Sequence, residues 1–165
     1  MGPHSIPKLY DSHNTFWLPQ KSNFLFLHGI AKPWVDQLYN PQFFYWDPDY
    51  LAEGGLHCPN CNTKLRHHGF THPRHVVDSH ERVYIIGQCY LCPHCKNPKT
   101  NEISVTCNSW DTKILKLLPM ALQDEFPAYL SHQSAMANSL FALMHTCFQY
   151  GMGSKQFSNS LQMLH

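Results

Sequence analysis

The residues best placed to do chemistry are four cysteines in two matching frames, Cys58-Pro-Asn-Cys61 and Cys92-Pro-His-Cys95. Two cysteines on one tight turn aim both sulfurs at a single point, and a second such turn completes a tetrahedral thiolate site with Zn–S bonds of about 2.3 Å. The Cys-Pro-x-Cys form is that of zinc-ribbon knuckles. Four thiolates leave no coordination position open to water, so the expectation is one structural Zn2+ on Cys58, Cys61, Cys92 and Cys95 rather than a catalytic metal. The thirty residues between Cys61 and Cys92 exceed the usual spacing of about 15–20, and a hairpin would occupy the excess.

Other uses of these cysteines fit less well. A disulfide framework needs an oxidising compartment, and seven cysteines are an odd number. Cys89, Cys92 and Cys95 repeat as in a ferredoxin, but the fourth cysteine three residues on is absent, position 99 being Lys. A thioredoxin-like CxxC would need a βαβ pattern, which is missing. Cys89 shares parity with Val83, Ile85 and Leu91 and reads as a buried small hydrophobe, as do Cys107 and Cys147.

Between the knuckles, Lys64, Arg66, Arg74 and Arg82 stand among His67, His68, His72, His75 and His80, against Asp78 and Glu81. Such a stretch can neutralise phosphates along DNA. It can equally be a solvated hairpin edge, where Lys and Arg discourage sheet-to-sheet pairing. The histidine spacings fit no standard second metal site. Near the C-terminus, a long helix, the turn Gly151-Met-Gly153 and a short amphipathic helix have the outline of a helix-turn-helix. Lys155, Gln156 and Asn159 on that last helix are candidate nucleic-acid contacts, since Asn and Gln can bond adenine bidentately in a major groove. Many surface helices carry the same residues. Catalytic patterns are missing: there is no HExxH, no phosphate-cradling glycine loop and no Ser-His-Asp order. The deaminase signature also fails, because proline precedes neither CxxC. The chain reads as non-enzymatic.

The elements that must position these residues fall into three stretches of one domain. Residues 1–55 form an irregular arm: Pro3, Pro7, Pro19, Pro33, Pro41 and Pro48 interrupt helices, while ten aromatics from Phe16 to Trp46 argue against a disordered linker. Its one local helix candidate is Pro33–Leu38. Residues 56–108 read as a three-stranded antiparallel zinc-ribbon-like core. Val76-Val77 and Val83–Ile86 flank a polar turn, and Ile103, Val105 and Cys107 alternate as a third strand. Residues 109–165 read as a helical unit, with Ser131 as N-cap of a long helix carrying Met136, Leu140, Met144 and Cys147, and Gly151 as its C-terminal stop. The fold class is therefore α+β.

Composition bounds the rest. The 165 residues suit one domain of about 100–200 residues. Hydrophobic residues at 43% and charged residues at 14% exclude an intrinsically disordered chain. A net charge of +1 supplies no strong overall field toward nucleic acid or membrane. No apolar run approaches the about 18 residues of a membrane span, and no secretory signal is visible. Reduced thiols then place the protein in the cytosol or nucleus.

In order along the chain stand Trp17-Leu-Pro19, Cys58-Pro-x-Cys61, Arg74-His-Val76-Val77, Tyr84, Tyr90-Leu-Cys92-x-x-Cys95, Ser109-Trp110-Asp111, Leu118-Pro119, Phe126-Pro127-Ala128 and Gly151-Met-Gly153. This string resembles an uncharacterised cysteine-containing, zinc-binding domain of fungal and fish transposon-derived proteins, sometimes found beside helicase or exonuclease modules. The resemblance carries no activity over. It implies zinc and a nucleic-acid context, and the compartment expected is the nucleus. With it, the leading expectation is a non-catalytic, zinc-stabilised DNA-binding module, whose partners are DNA and other domains of a larger parent protein. The alternative is a protein-interaction module that uses the aromatic arm.

Overall fold

The structure, a computed structural model, describes residues 7–20, 22, 28, 40–97, 103–132 and 134–164. It is a mixed α+β chain that divides into two compact units, interleaved along the sequence. One comprises Met1–Phe16, Tyr45–Pro73 and Ile86–Phe126; the other comprises Trp17–Phe44, Arg74–Ile85 and Pro127–His165. The arm, the knuckle region and the C-terminal stretch thus do not map one to one onto the units. The helix expected over Pro33–Leu38 lies outside the described residues, as do Phe24, Phe26, Trp34 and Tyr39 of the arm.

The described strands of the larger sheet are organised on β4 (Val83–Lys96). In the first unit, β2 (Arg66–Phe70) and β5 (Ile103–Asn108) pair antiparallel with β4, with Cys89 opposite both Gly69 and Asn108. The third strand expected from Ile103, Val105 and Cys107 is β5. The burial of β4 changes phase midway: Val83, Ile85 and Gly87 are buried, then Gln88, Tyr90 and Cys92. A bulge at His68 in β2 accompanies the change, with Gly69 at φ +146°. Cys89 is therefore only half-buried, contrary to the parity reading, and Cys92 turns inward.

The first unit's core is built on Trp46, which is fully buried at the end of β1 (Gln42–Trp46). Its ring meets Phe16 and Phe126 at centroid distances of 5.4 and 5.3 Å. Its Nε1–H donates to the Ser109 carbonyl (3.2 Å), and Ser109 Oγ–H donates back to the Trp46 carbonyl (3.0 Å). That exchange satisfies the polar atoms of a buried indole. A helix α1 (Lys8–His13) forms in the stretch expected to be irregular, closing on Asn14 in the left-handed region at φ 49°. It buries Leu9 and Tyr10. Two short helices follow β5, α2 (Thr112–Leu115) and α3 (Met120–Asp124). Ile114 of α2 is buried, and Pro119 separates the two.

In the second unit, β3 (Arg74–Val76) pairs antiparallel with the start of β4, so the hairpin over Val76 and Val83 forms as expected. Trp17 lies edge-on to Phe44, and Phe43 stacks on Tyr84. The long helix expected from Ser131 does not begin there. Residues 128–137 make a small hairpin instead, β6 (Ala128–Leu130) with β7 (Ala135–Ala137), and the helix α4 runs over Asn138–Gln149. Two contacts select the hairpin. Val77 N–H donates to the Ala135 carbonyl, and the Val77 carbonyl accepts from Ala137 N–H, both at 2.9 Å. Arg74 donates through Nη2 to the Ser131 carbonyl and to the Ser134 carbonyl, the latter at 3.1 Å. Gly151 at φ +86° stops α4 as expected, and α5 (Ser154–Leu164) follows, with Phe157 edge-on to Phe148. Among the described residues, no helix is long and apolar enough to cross a membrane.

Candidate metal centre and the cleft beside it

The first knuckle sits in the loop before β2. Asn62 N–H donates to the Cys58 carbonyl and Cys58 N–H to the Thr63 carbonyl, each at 2.8 Å, and Asn62 takes the left-handed φ of 57°. That closed turn brings Cys58 and Cys61 onto one side. The second knuckle, Cys92 to Cys95, lies within β4, whose register with β5 is interrupted between Cys92 and Lys96. The four ligand sulfurs all lie within 4.8 Å of one another. Cys61 Sγ is 3.4 Å from Cys92 Sγ, and Cys58 Sγ is 3.7 Å from Cys95 Sγ. Those separations are far beyond a covalent S–S bond of about 2.05 Å. They approach the about 3.8 Å edge of a tetrahedron with 2.3 Å metal–sulfur bonds. The cluster could hold one metal ion, and an all-thiolate donor set of this size is compatible with zinc. Cys58 and Cys92 are buried, while Cys61 is exposed.

The thiols are not equivalent. The Thr63 hydroxyl and backbone N–H favour the Cys61 thiolate, with Cys92 and Cys95 adding to them, and push its pKa down to about 6. The neighbouring Cys61 and Cys92 raise that of Cys95. Cys107 is pushed up to about 12 by burial and then by Asp111. Burial and then Asp111 also raise Cys89.

Beside the knuckles opens a cleft of about 780 Å³, within the range of small-ligand sites. Tyr50, Lys64, Arg66 and His67 line it, with Pro93 and His94 of the second knuckle. Behind it lies a buried polar cluster that no sequence motif announced. Asp47 is 1% exposed. Tyr90 O–H donates to its Oδ1 (2.7 Å) and Tyr45 O–H to its Oδ2 (3.2 Å). His67 Nε2 lies 3.3 and 3.2 Å from the same two oxygens. Tyr10 O–H donates to the Tyr45 carbonyl and accepts from Asp47 N–H. Burial raises the pKa of Tyr10, Tyr45 and Tyr90, and the Asp47 charge raises Tyr45 and Tyr90 further. Asp47 stands directly after the apolar run Phe43–Trp46, and an acid in such a place was the one available signal.

Of the basic residues expected to act together, Lys64 and Arg66 are exposed and line this cleft. Arg74 and Arg82 belong to the second unit. Arg74 is half-buried and braces the β6–β7 turn. Arg82 is exposed, and its carbonyl accepts from Gln42 N–H. Lys155, Gln156 and Asn159 are all exposed on α5, but Gln156 Oε1 also accepts from Gly153 N–H, capping the helix start. The described aromatics of the arm are engaged in packing: Tyr10 with Phe16, Phe16 with Trp46 and Trp17 with Phe44.

Compared with known proteins, residues 5–165 match a family described as Domain of unknown function (DUF6729). The chain belongs to this family. No curated protein and no solved structure matches it. The DUF6729 match takes in all four cysteines, so the cysteine cluster lies inside the family's own boundaries.

Proposed function

We propose that this DUF6729 chain is a non-catalytic nucleic-acid-binding module whose first unit is held by one structural zinc ion in a zinc-ribbon-like arrangement. The observation that carries the reading is the pairing of two exposed cations, Lys64 and Arg66, in one cleft beside the knuckles. Cationic side chains fixed next to a rigid metal turn are suited to phosphates, whose counterions they release. The exposed Lys155 and Asn159 on α5, after a Gly-containing turn, support a helix-turn-helix-like second contact. DNA is the partner assigned here and the nucleus the compartment.

A salt titration tests the reading. With Lys64 and Arg66 on two phosphates, the log–log slope of affinity against salt should be near −2, at about −0.9 per phosphate. Arg66→Ala should weaken binding to all sequences alike and flatten the slope by about one unit. Absence of binding at low salt would overturn the reading. The second reading, a protein-interaction module, would then lead, resting on α4 rather than on the arm. There Phe141 is exposed and its ring lies 4.4 Å from that of the exposed Tyr129.

A further inference from the structure

The cleft beside the knuckles is more than a cationic surface. A duplex presents phosphates along a convex backbone, and Lys64 and Arg66 could meet them without any cavity. A cleft of about 780 Å³ behind those cations has room for more than a phosphate group. One wall is aromatic: the rings of Tyr50 and His67 lie 5.4 Å apart with 32° between their planes. That wall is preorganised. His67 Nε2 is held against the buried Asp47 carboxylate, which the Tyr45 and Tyr90 hydroxyls hold in turn. The floor is left open by Gly55, at φ +83°, where a Cβ would stand 2.9 Å from Lys64 Cε and 3.1 Å from Asp49 Oδ1. Asp49 is the acidic group in the cleft. Its Oδ1 accepts from Leu56 N–H (2.6 Å), and its Oδ2 lies 3.8 Å from His67 Nε2. A bare phosphate would meet that carboxylate with repulsion, whereas a base with an amino group would find an acceptor.

We propose that the cleft receives one unstacked nucleotide of single-stranded DNA, its phosphate on Lys64 and Arg66 and its base against the Tyr50–His67 wall. Aromatic faces bind successive or single bases of any sequence by stacking, while a neighbouring basic groove tracks the backbone. A base inside a duplex cannot enter without being extruded from the stack, which disfavours the duplex as a ligand. The inference rests on the nucleic-acid reading and adds a preference for the single strand. The same nucleotide chemistry could come from a free deoxynucleoside monophosphate, and the test separates the two sources.

Binding of the zinc-loaded 165-residue chain is measured for a 12-nucleotide single strand, its duplex, deoxycytidine 5′-monophosphate and inorganic phosphate. The single strand is expected to bind at least about tenfold more tightly than the duplex, and the mononucleotide more tightly than phosphate. Tyr50→Ala should weaken the single strand and the mononucleotide about 5- to 150-fold, the range for one base–aromatic stack, and leave the duplex unchanged. Arg66→Ala, a surface change, provides a second variant should Tyr50→Ala lose its zinc, and should weaken every nucleotide ligand. Equal affinity for single strand and duplex, with Tyr50→Ala silent, overturns the inference while the nucleic-acid reading stands. Binding of the mononucleotide alone, sensitive to both variants, makes free nucleotide the ligand and overturns the strand assignment. No binding of any probe at low salt overturns both.

Discussion

At the scale of single residues, Cys58 and Cys147 are both free thiols, yet their consequences should differ widely. Cys58 is a buried member of the sulfur cluster, and Cys147 is a half-buried residue of α4. Structural zinc contributes on the order of 10–16 kcal/mol in small zinc peptides at pH 7, against a whole-domain stability of about 5–15 kcal/mol. Cys58→Ser is therefore expected to abolish stoichiometric zinc and cooperative unfolding of the first unit, while Cys147→Ser should shift stability by less than about 1 kcal/mol. Elemental analysis and urea denaturation read both. The Asp47 cluster makes a second claim. Tyr10, Tyr45 and Tyr90 keep their protons in the fold above their ordinary pKa of 10.0. The unfolded chain then holds fewer protons than the native one at alkaline pH, so stability falls as pH rises. The stabilisation is complete below pH 10 and is lost above it. The expected slope above pH 10 exceeds the about 1.4 kcal/mol per pH unit of a single group, and Tyr90→Phe should reduce it. A flat urea midpoint between pH 9 and 11 would contradict this account.

At the scale of elements, legibility follows the range of the interactions that decide each one. The two knuckles are local, set by a Cys-Pro-x-Cys turn, and the sequence alone discloses them. The strands over Val83–Ile86 and Ile103–Cys107 show in their β-branched and alternating residues. The β6–β7 hairpin does not, because Met136, Leu140, Met144 and Cys147 recur at helical spacing although Met136 sits in a strand. Its placement is decided by Val77 and Arg74, more than fifty residues upstream. The Asp47 network was hidden for the same reason: His67 and Tyr90 reach it across twenty and forty-three positions. The phase change in β4 is tied to Gly87, where a Cβ would stand 2.5 Å from Ser109 Oγ and 2.7 Å from the Trp110 ring. Gly87→Ala should thus cost about 3 kcal/mol, the upper end of the usual overpacking range. Gly54→Ala provides the contrast. A Cβ there meets nothing, so only its φ of +78° opposes the change, and the loss should be nearer 1 kcal/mol. Thermal unfolding of the two variants side by side measures the difference, and equal losses would refute the close-approach argument at Gly87.

At the scale of the whole molecule, the chain leaves and re-enters each of its two units, and β4 supplies residues 83–85 to one and 86–96 to the other. All four cysteines belong to the first unit. The metal would close the segment from Cys58 to Cys95 and tie the loop before β2 to the second knuckle on β4. The second unit has its own supports: the Val77 exchange with Ala135 and Ala137, the Arg74 brace, and buried Leu140 and Phe157. Proteins open in cooperative blocks whose free energies differ, and amide exchange reads those blocks separately. Removing zinc with a chelator should therefore raise exchange first in β2, in β4 from Gln88 onward and in β5. The amides of Val77 and Ala137 should keep protection at chelator concentrations that have already exposed the first unit. Hydrogen exchange followed by mass spectrometry on the full chain makes the comparison within one sample. Loss of protection in step across both sets would show that the metal holds the two units as one cooperative block, and Cys58→Ser would then abolish the second unit's structure as well.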